Sequence, residues 1–248
     1  MRRLLVASIF SGGERDPSWL MLQQENLSRT VGNIYDHAVY LSHGADHSLF
    51  SDKIIIGVEE LDKSQILQQI LTFFRANPYD FYLILDHDAF PFREGWLEIL
   101  SHQIRRANVS MAAAVFTENW DTFPSPSVFF LRGGAVFDDR IDFHFRVGKN
   151  LTGSPIRDIG VGMTGLPMYP LLRSNARNFH PVMGGLYGHL FYRHGEGSAA
   201  SSRSLEAGTS DHYLRSQDHA AIDRGLFQEL IENPQAYLQR LASHAECG

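Results

Sequence analysis

A chain of 248 residues, 44% hydrophobic and 20% charged, has the makeup of a globular protein with one large α/β domain or two small ones. Its net charge of −6 lacks the positive footprint of a nucleic-acid binder and argues against docking on anionic lipid. Cys247 has no second cysteine to pair with, and no stretch reaches the length of a membrane span, so the expectation is a cytoplasmic protein without an integral membrane segment.

Taken in chain order, Leu4 to Phe10 reads as a first strand rather than a signal peptide. Its apolar run is short and breaks at Ser11-Gly12-Gly13. Ser18 to Val31 predicts a helix, Tyr35 to Leu41 a second strand, and Lys53 to Val58 a third. A helix over Ser64–Asn77 leads through Asn77-Pro78-Tyr79-Asp80 into Phe81-Tyr82-Leu83-Ile84-Leu85, an apolar run with the length of a buried strand. Gly95 to Arg106 is again helical in pattern. Strands alternating with helices predict an α/β fold with a largely parallel central sheet flanked by helices.

Beyond Ala107 the pattern changes. Ser110 to Phe116 and Ser127 to Leu131 read as strands, separated by a polar, proline-containing loop over residues 117–126. A helix is expected from Asp158 to Arg173, although Pro167 and Pro170 should break it. His189 to His194 reads as a late strand, and two short helices, near Ser210–Asp223 and Leu226–Ala242, close the chain. No repeat or linker divides it, so one domain is expected: a nucleotide-binding half over 1–107, an acceptor half over 108–205, and C-terminal helices over 206–248.

The chemistry centres on Asp86 and Asp88, which end the fourth strand one residue apart. In an open α/β sheet the carboxyl ends of the strands form the rim where ligands bind. Two acids at i and i+2 share a side if the strand persists, and they repel each other unless positive charge lies beside them. A hard divalent cation carrying a diphosphate meets that need. The plain alternative is a strand-ending turn or a helix cap, roles Asp fills on its own.

The run Phe81-Tyr82-Leu83-Ile84-Leu85-Asp86-His87-Asp88-Ala89-Phe90-Pro91-Phe92-Arg93-Glu94-Gly95-Trp96-Leu97 resembles the strand, Asp-x-Asp pair and helix start of GT-A fold glycosyltransferases. Tyr187 to Ser198 is similar to the segment in which many members place a metal-binding histidine. The resemblance implies a GT-A-like domain that moves a sugar from a nucleotide-diphospho-sugar, a UDP- or GDP-sugar, to a saccharide or other hydroxyl acceptor, with inversion. It implies Mn²⁺ or Mg²⁺ as the ion. Asp86 would bond the ribose or assist the metal through water, Asp88 would ligate it, and His87 would face away.

His194, or in its place His189, would complete the shell; each is equally readable as a strand residue bonded to a neighbour. Ser11 and Arg15 after the first strand and Asp46 after the second would line the nucleotide, against the reading of two simple turns. Gly133 and Gly134 would let the donor sugar approach the backbone. Asp158 matches the position of the acceptor base, but an Arg157-Asp158 pair stands where the family has two acids, and a helix N-cap is an equal reading. Glu118 and Asp121 are the reserve candidates, with Trp120 as a wall for the sugar ring. Two rivals stand beside the transferase: a nucleotidyltransferase or nucleotide-sugar hydrolase on a similar fold, and a non-catalytic sugar- or nucleotide-binding module.

Overall fold

The computed structural model describes residues 3–10, 18–41, 47–59, 61, 63–116, 123–139, 141, 143–149, 155–161, 168–174, 185–193, 229–230 and 232–239. The central strands are β1 (Leu4–Phe10), β2 (Tyr35–Leu41), β3 (Ile54–Gly57), β4 (Phe81–Asp86), β6 (Met111–Phe116), β7 (Phe123–Arg132) and β10 (Tyr169–Ser174), in the spatial order β3-β2-β1-β4-β7-β6-β10. All run one way except β7, which pairs antiparallel with both β4 and β6. The sheet continues beyond β10 through β11 (Gly185–Tyr187) and β12 (Phe191–Arg193) to β5 (Ala89–Pro91). This is the α/β architecture with a largely parallel sheet that strand–helix alternation predicts.

β4 is apolar up to its last residue, Asp86, because both of its faces are covered. Tyr82 and Ile84 join Leu5, Ala7 and Ile9 against α2 (Lys63–Ala76), through Ile66, Leu67, Ile70, Leu71 and Phe74. The alternate residues Phe81, Leu83 and Leu85 join Leu4 and Val6 against Leu27 of α1 (Ser18–Val31) and Trp96, Leu97, Leu100 and Ile104 of α3 (Trp96–Arg106). Period-two alternation therefore directs Asp86, the next even position, toward the α2 side. α3 starts where Gly95 adopts φ +70°, a left-handed conformation open to glycine at little cost. Trp96 is fully buried behind it and donates its indole N–H to Thr30 Oγ1 at 3.2 Å.

Several expectations are corrected. The segment expected as a helix from Asp158 to Arg173 contains two strands instead, β9 (Pro155–Val161) and β10. β9 pairs antiparallel with β8 (Phe143–Lys149) in a separate two-stranded sheet, with Asp158 opposite Arg146. The β-branched Ile156, Ile159 and Val161 favour this pleat. The proline loop also ends earlier than expected: β7 begins at Phe123, so Pro124 and Pro126 lie within a strand. The late strand starts later than expected: residues 188–190 form a turn, and among the described residues Phe191–Arg193 is extended.

Of the closing helices, the first lies outside the described residues. The second is present at 229–230 and 234–239, where Leu230, Tyr237 and Leu238 pack on Phe10, Leu41, Phe90 and Tyr192. Among the described residues no helix is long and apolar enough to cross a membrane.

Candidate functional site

The carboxyl ends of β1, β2, β4 and β6 meet along one edge, with Ile9 of β1 paired to Asp86 of β4. β4 stops at Asp86; His87 and Asp88 form a turn, and β5 follows at Ala89. β12 runs antiparallel to β5 and sets Arg193 opposite Ala89, directly beside the two acids. From the other side comes Lys63, the first residue of α2. A lysine there opposes the positive end of the helix dipole, so its position calls for a compensating anion. Asp86 is that anion.

The Lys63 ammonium bridges both Asp86 carboxylate oxygens at 2.6 Å. A terminal Arg193 nitrogen lies 3.2 Å from Asp86 Oδ2, and Arg193 Nε lies 3.6 Å from Asp88 Oδ1. Burial alone would raise the Asp86 carboxyl, but the nearby Lys63 and Arg193 charges outweigh it and bring its pKa down to about 2. The acids do share one partner, Arg193, although Asp88 reaches it from a turn rather than a continuing strand. His87 turns away from them, its ring 6.2 Å from that of Trp19 and 6.4 Å from that of Phe10.

A buried polar chain behind the turn holds it in place. Gln23 of α1 is fully buried, and its Nε2 donates to the carbonyls of Asp86 (2.6 Å), His87 (3.1 Å) and Ala89 (2.8 Å). Its Oε1 accepts from Ser8 Oγ at 2.8 Å. Ser8, having donated there, accepts from His37 Nε2–H at 2.8 Å. His37 Nδ1 is then the bare nitrogen, buried with no hydrogen-bond partner.

Protonating Nδ1 would place a charge where nothing receives it. Desolvation, reinforced by the Lys53 charge, lowers the His37 pKa to about 3. The unfolded chain binds this proton from about pH 6.5 downward and the folded chain does not. Stability should therefore fall as pH drops from about 6.5 toward 3, by up to about 1.4 kcal/mol per pH unit. Urea unfolding midpoints at pH 7, 5.5 and 4.5 test this: the acid-side slope should flatten in His37→Gln, and an unchanged slope would contradict the assignment.

The other expected site residues separate into four groups. Ser11, Arg15, Asp46 and His194 lie outside the described residues, as do Glu118, Trp120 and Asp121. Asp158 is in the middle of β9, with only its backbone described, so the N-cap reading and the helix start that suggested a base are both corrected. Gly133 and Gly134 lie at the far end of β4: Arg132 pairs with Phe81, and Gly133 N–H donates to Asp80 O at 2.7 Å. Five residues at about 3.3 Å each put roughly 17 Å of strand between that end and Asp86. Gly133 is glycine because a Cβ would come within 2.3 Å of Tyr79 O, not because a sugar approaches. A cleft of about 810 Å³ at that far edge, lined by Asp80, Arg105 and Arg132 among others, is equally remote from the acids. His189 occupies the turn before β12 at φ +54°, exposed, at the opposite end of that strand from Arg193.

Among the described residues, Asp86 and Asp88 alone do not make a coordination set for a divalent cation, and His194 lies outside them. Among the described residues no group of three or more His, Cys, Asp and Glu converges. Two carboxylates already face two cations, so the cluster is neutral. An ion on the same oxygens would have to displace the Lys63 ammonium, which lies 2.6 Å from both Asp86 carboxylate oxygens.

No protein-family model matches the sequence, and no curated protein matches it. Among solved structures, the chain is similar to S. aureus TarS at a TM-score of 0.41 and 13% identity, over 57% of this chain and 30% of that one. It is also similar to A197 from STIV at a TM-score of 0.39 and 10% identity, over 78% of this chain and 95% of that one. The match thus spans under a third of TarS, and likenesses this distant carry no argument about activity.

Proposed function

We propose that this chain is a glycosyltransferase that moves a sugar from a nucleotide-diphospho-sugar to an acceptor hydroxyl on a GT-A-like sheet. The observation that carries the reading is the cluster of Asp86, Asp88, Lys63 and Arg193 at the carboxyl-terminal edge of the parallel strands. That edge is where open α/β sheets place ligands. A departing diphosphate requires fixed positive charge. Lys63 and Arg193 are the groups for it, and Asp86, kept ionised, holds both in place.

For the acceptor base, Glu118 and Asp121 take precedence over Asp158. Asp158 lies within β9 and not at a helix start, which leaves the two reserve acids of the 117–122 segment.

Incubation with UDP-, GDP-, CDP- and dTDP-sugars plus simple saccharides should release nucleoside diphosphate and yield a glycosylated acceptor, read by mass spectrometry. Formation of nucleotide-sugar from a nucleoside triphosphate and a sugar phosphate would point to the nucleotidyltransferase reading. Binding without release would point to a binding module, and neither binding nor release would remove the transferase reading.

A further inference from the structure

We infer that this site receives the diphosphate directly on the Lys63 ammonium and the Arg193 guanidinium, without a divalent cation between protein and ligand. The inference rests on the nucleotide-sugar reading and changes what the Asp-x-Asp pair does within it. The charges of the cluster differ in their exposure to solvent. Lys63 and Arg193 keep 29% and 17% of their side chains exposed, while the Asp86 side chain beneath them keeps 8% and that of Asp88 keeps 12%. Lys63 is thus the member of the cluster most open to solvent, and Asp86 the least.

A metal bridge requires the reverse order, with carboxylates facing the ion and the ion facing the phosphate. Here both Asp86 oxygens are taken by the Lys63 ammonium at 2.6 Å, and Arg193 pairs with both acids, so the basic groups stand where an ion would have to. Arginine suits this role because its planar fork matches phosphate oxygens as well as carboxylate oxygens. The separation of the partners supports a built device: Lys63 comes from α2 and Arg193 from β12, and each is delivered to Asp86 by its element's own packing.

The test is calorimetric titration of the full chain with UDP, GDP, CDP and dTDP, each in excess EDTA and in Mn²⁺. The diphosphate that binds should do so in EDTA with a Kd within about twofold of that in Mn²⁺. Arg193→Gln should weaken it at least tenfold, and Lys63→Gln several-fold. Arg193→Lys keeps the charge without the fork and should recover part of the loss, which guards against a variant that merely fails to fold. Spin resonance of Mn²⁺ mixed with protein and nucleotide should show no protein-dependent bound signal beyond the nucleotide alone. Binding that appears only with Mn²⁺, or tightens tenfold or more with it, would overturn this inference and leave the transferase reading intact. No binding of any diphosphate in either condition would remove both.

Discussion

Asp86→Asn destabilises the protein by about 2–4 kcal/mol at pH 7, because it removes the shared anion between two cations that are only partly hydrated. The sign follows from the shift. A carboxyl lowered to about 2 in the fold, against the usual 3.8, contributes stability that is present above about pH 3.8 and lost as pH falls through about 2. The gap between wild type and variant should therefore be constant near neutrality and close between those two pH values. Urea denaturation at pH 7 and pH 2.5 measures it. Equal midpoints at pH 7 would mean the Lys63 and Arg193 pairs do not form in solution, and the case for an outward-facing cationic site would fall with them.

Gln23→Leu should cost about 3–5 kcal/mol, although Gln23 touches no expected ligand. A leucine fills the space but leaves the carbonyls of Asp86, His87 and Ala89 without their donor and the Ser8 hydroxyl without its acceptor. Each buried group left bare costs about 1–3 kcal/mol, and the four are not additive because the turn relaxes. That relaxation is what distinguishes a positioning residue from mere filler. Amide exchange at Asp88 and Ala89 should accelerate well beyond exchange in the distant strand β2, and diphosphate affinity should fall with it. A loss under 1 kcal/mol, or uniform exchange across the sheet, would contradict the role.

Elements whose apolar period is clean were legible in the amino-acid sequence. β1, α1 and β2 have the expected bounds, and α2 and β4 differ by a residue at their ends. β9 was not legible because Ile156, Ile159 and Val161 fit a short helical face as readily as a pleat, and only pairing with β8 decides between them. The Asp-x-Asp pair was legible as a site, but its counter-charges were not: Lys63 lies 23 residues before Asp86, and no local pattern links them.

Two signals were nonetheless present. Lys63 opens a helix at the end where cations are disfavoured. Arg193 terminates the apolar run Leu190-Phe191-Tyr192, where a charged residue entering a buried strand needs a partner. Gln23 gave a third, as an amide among Trp19, Leu20, Leu22 and Leu27 on the packed side of α1. Gly133 shows the opposite error, since glycine was read as room for a ligand where it is room for a backbone carbonyl.

The pairing of β5 with β12 also bears on how the chain matures. Ribosomes add about 5–20 residues per second, so the guanidinium emerges roughly 5–20 s after Asp88. The early α/β layers can assemble during that interval, with a single ammonium to offset both acids. Completion of the Asp86–Arg193 pairing is thus a late folding event, set by one short strand arriving from far down the chain.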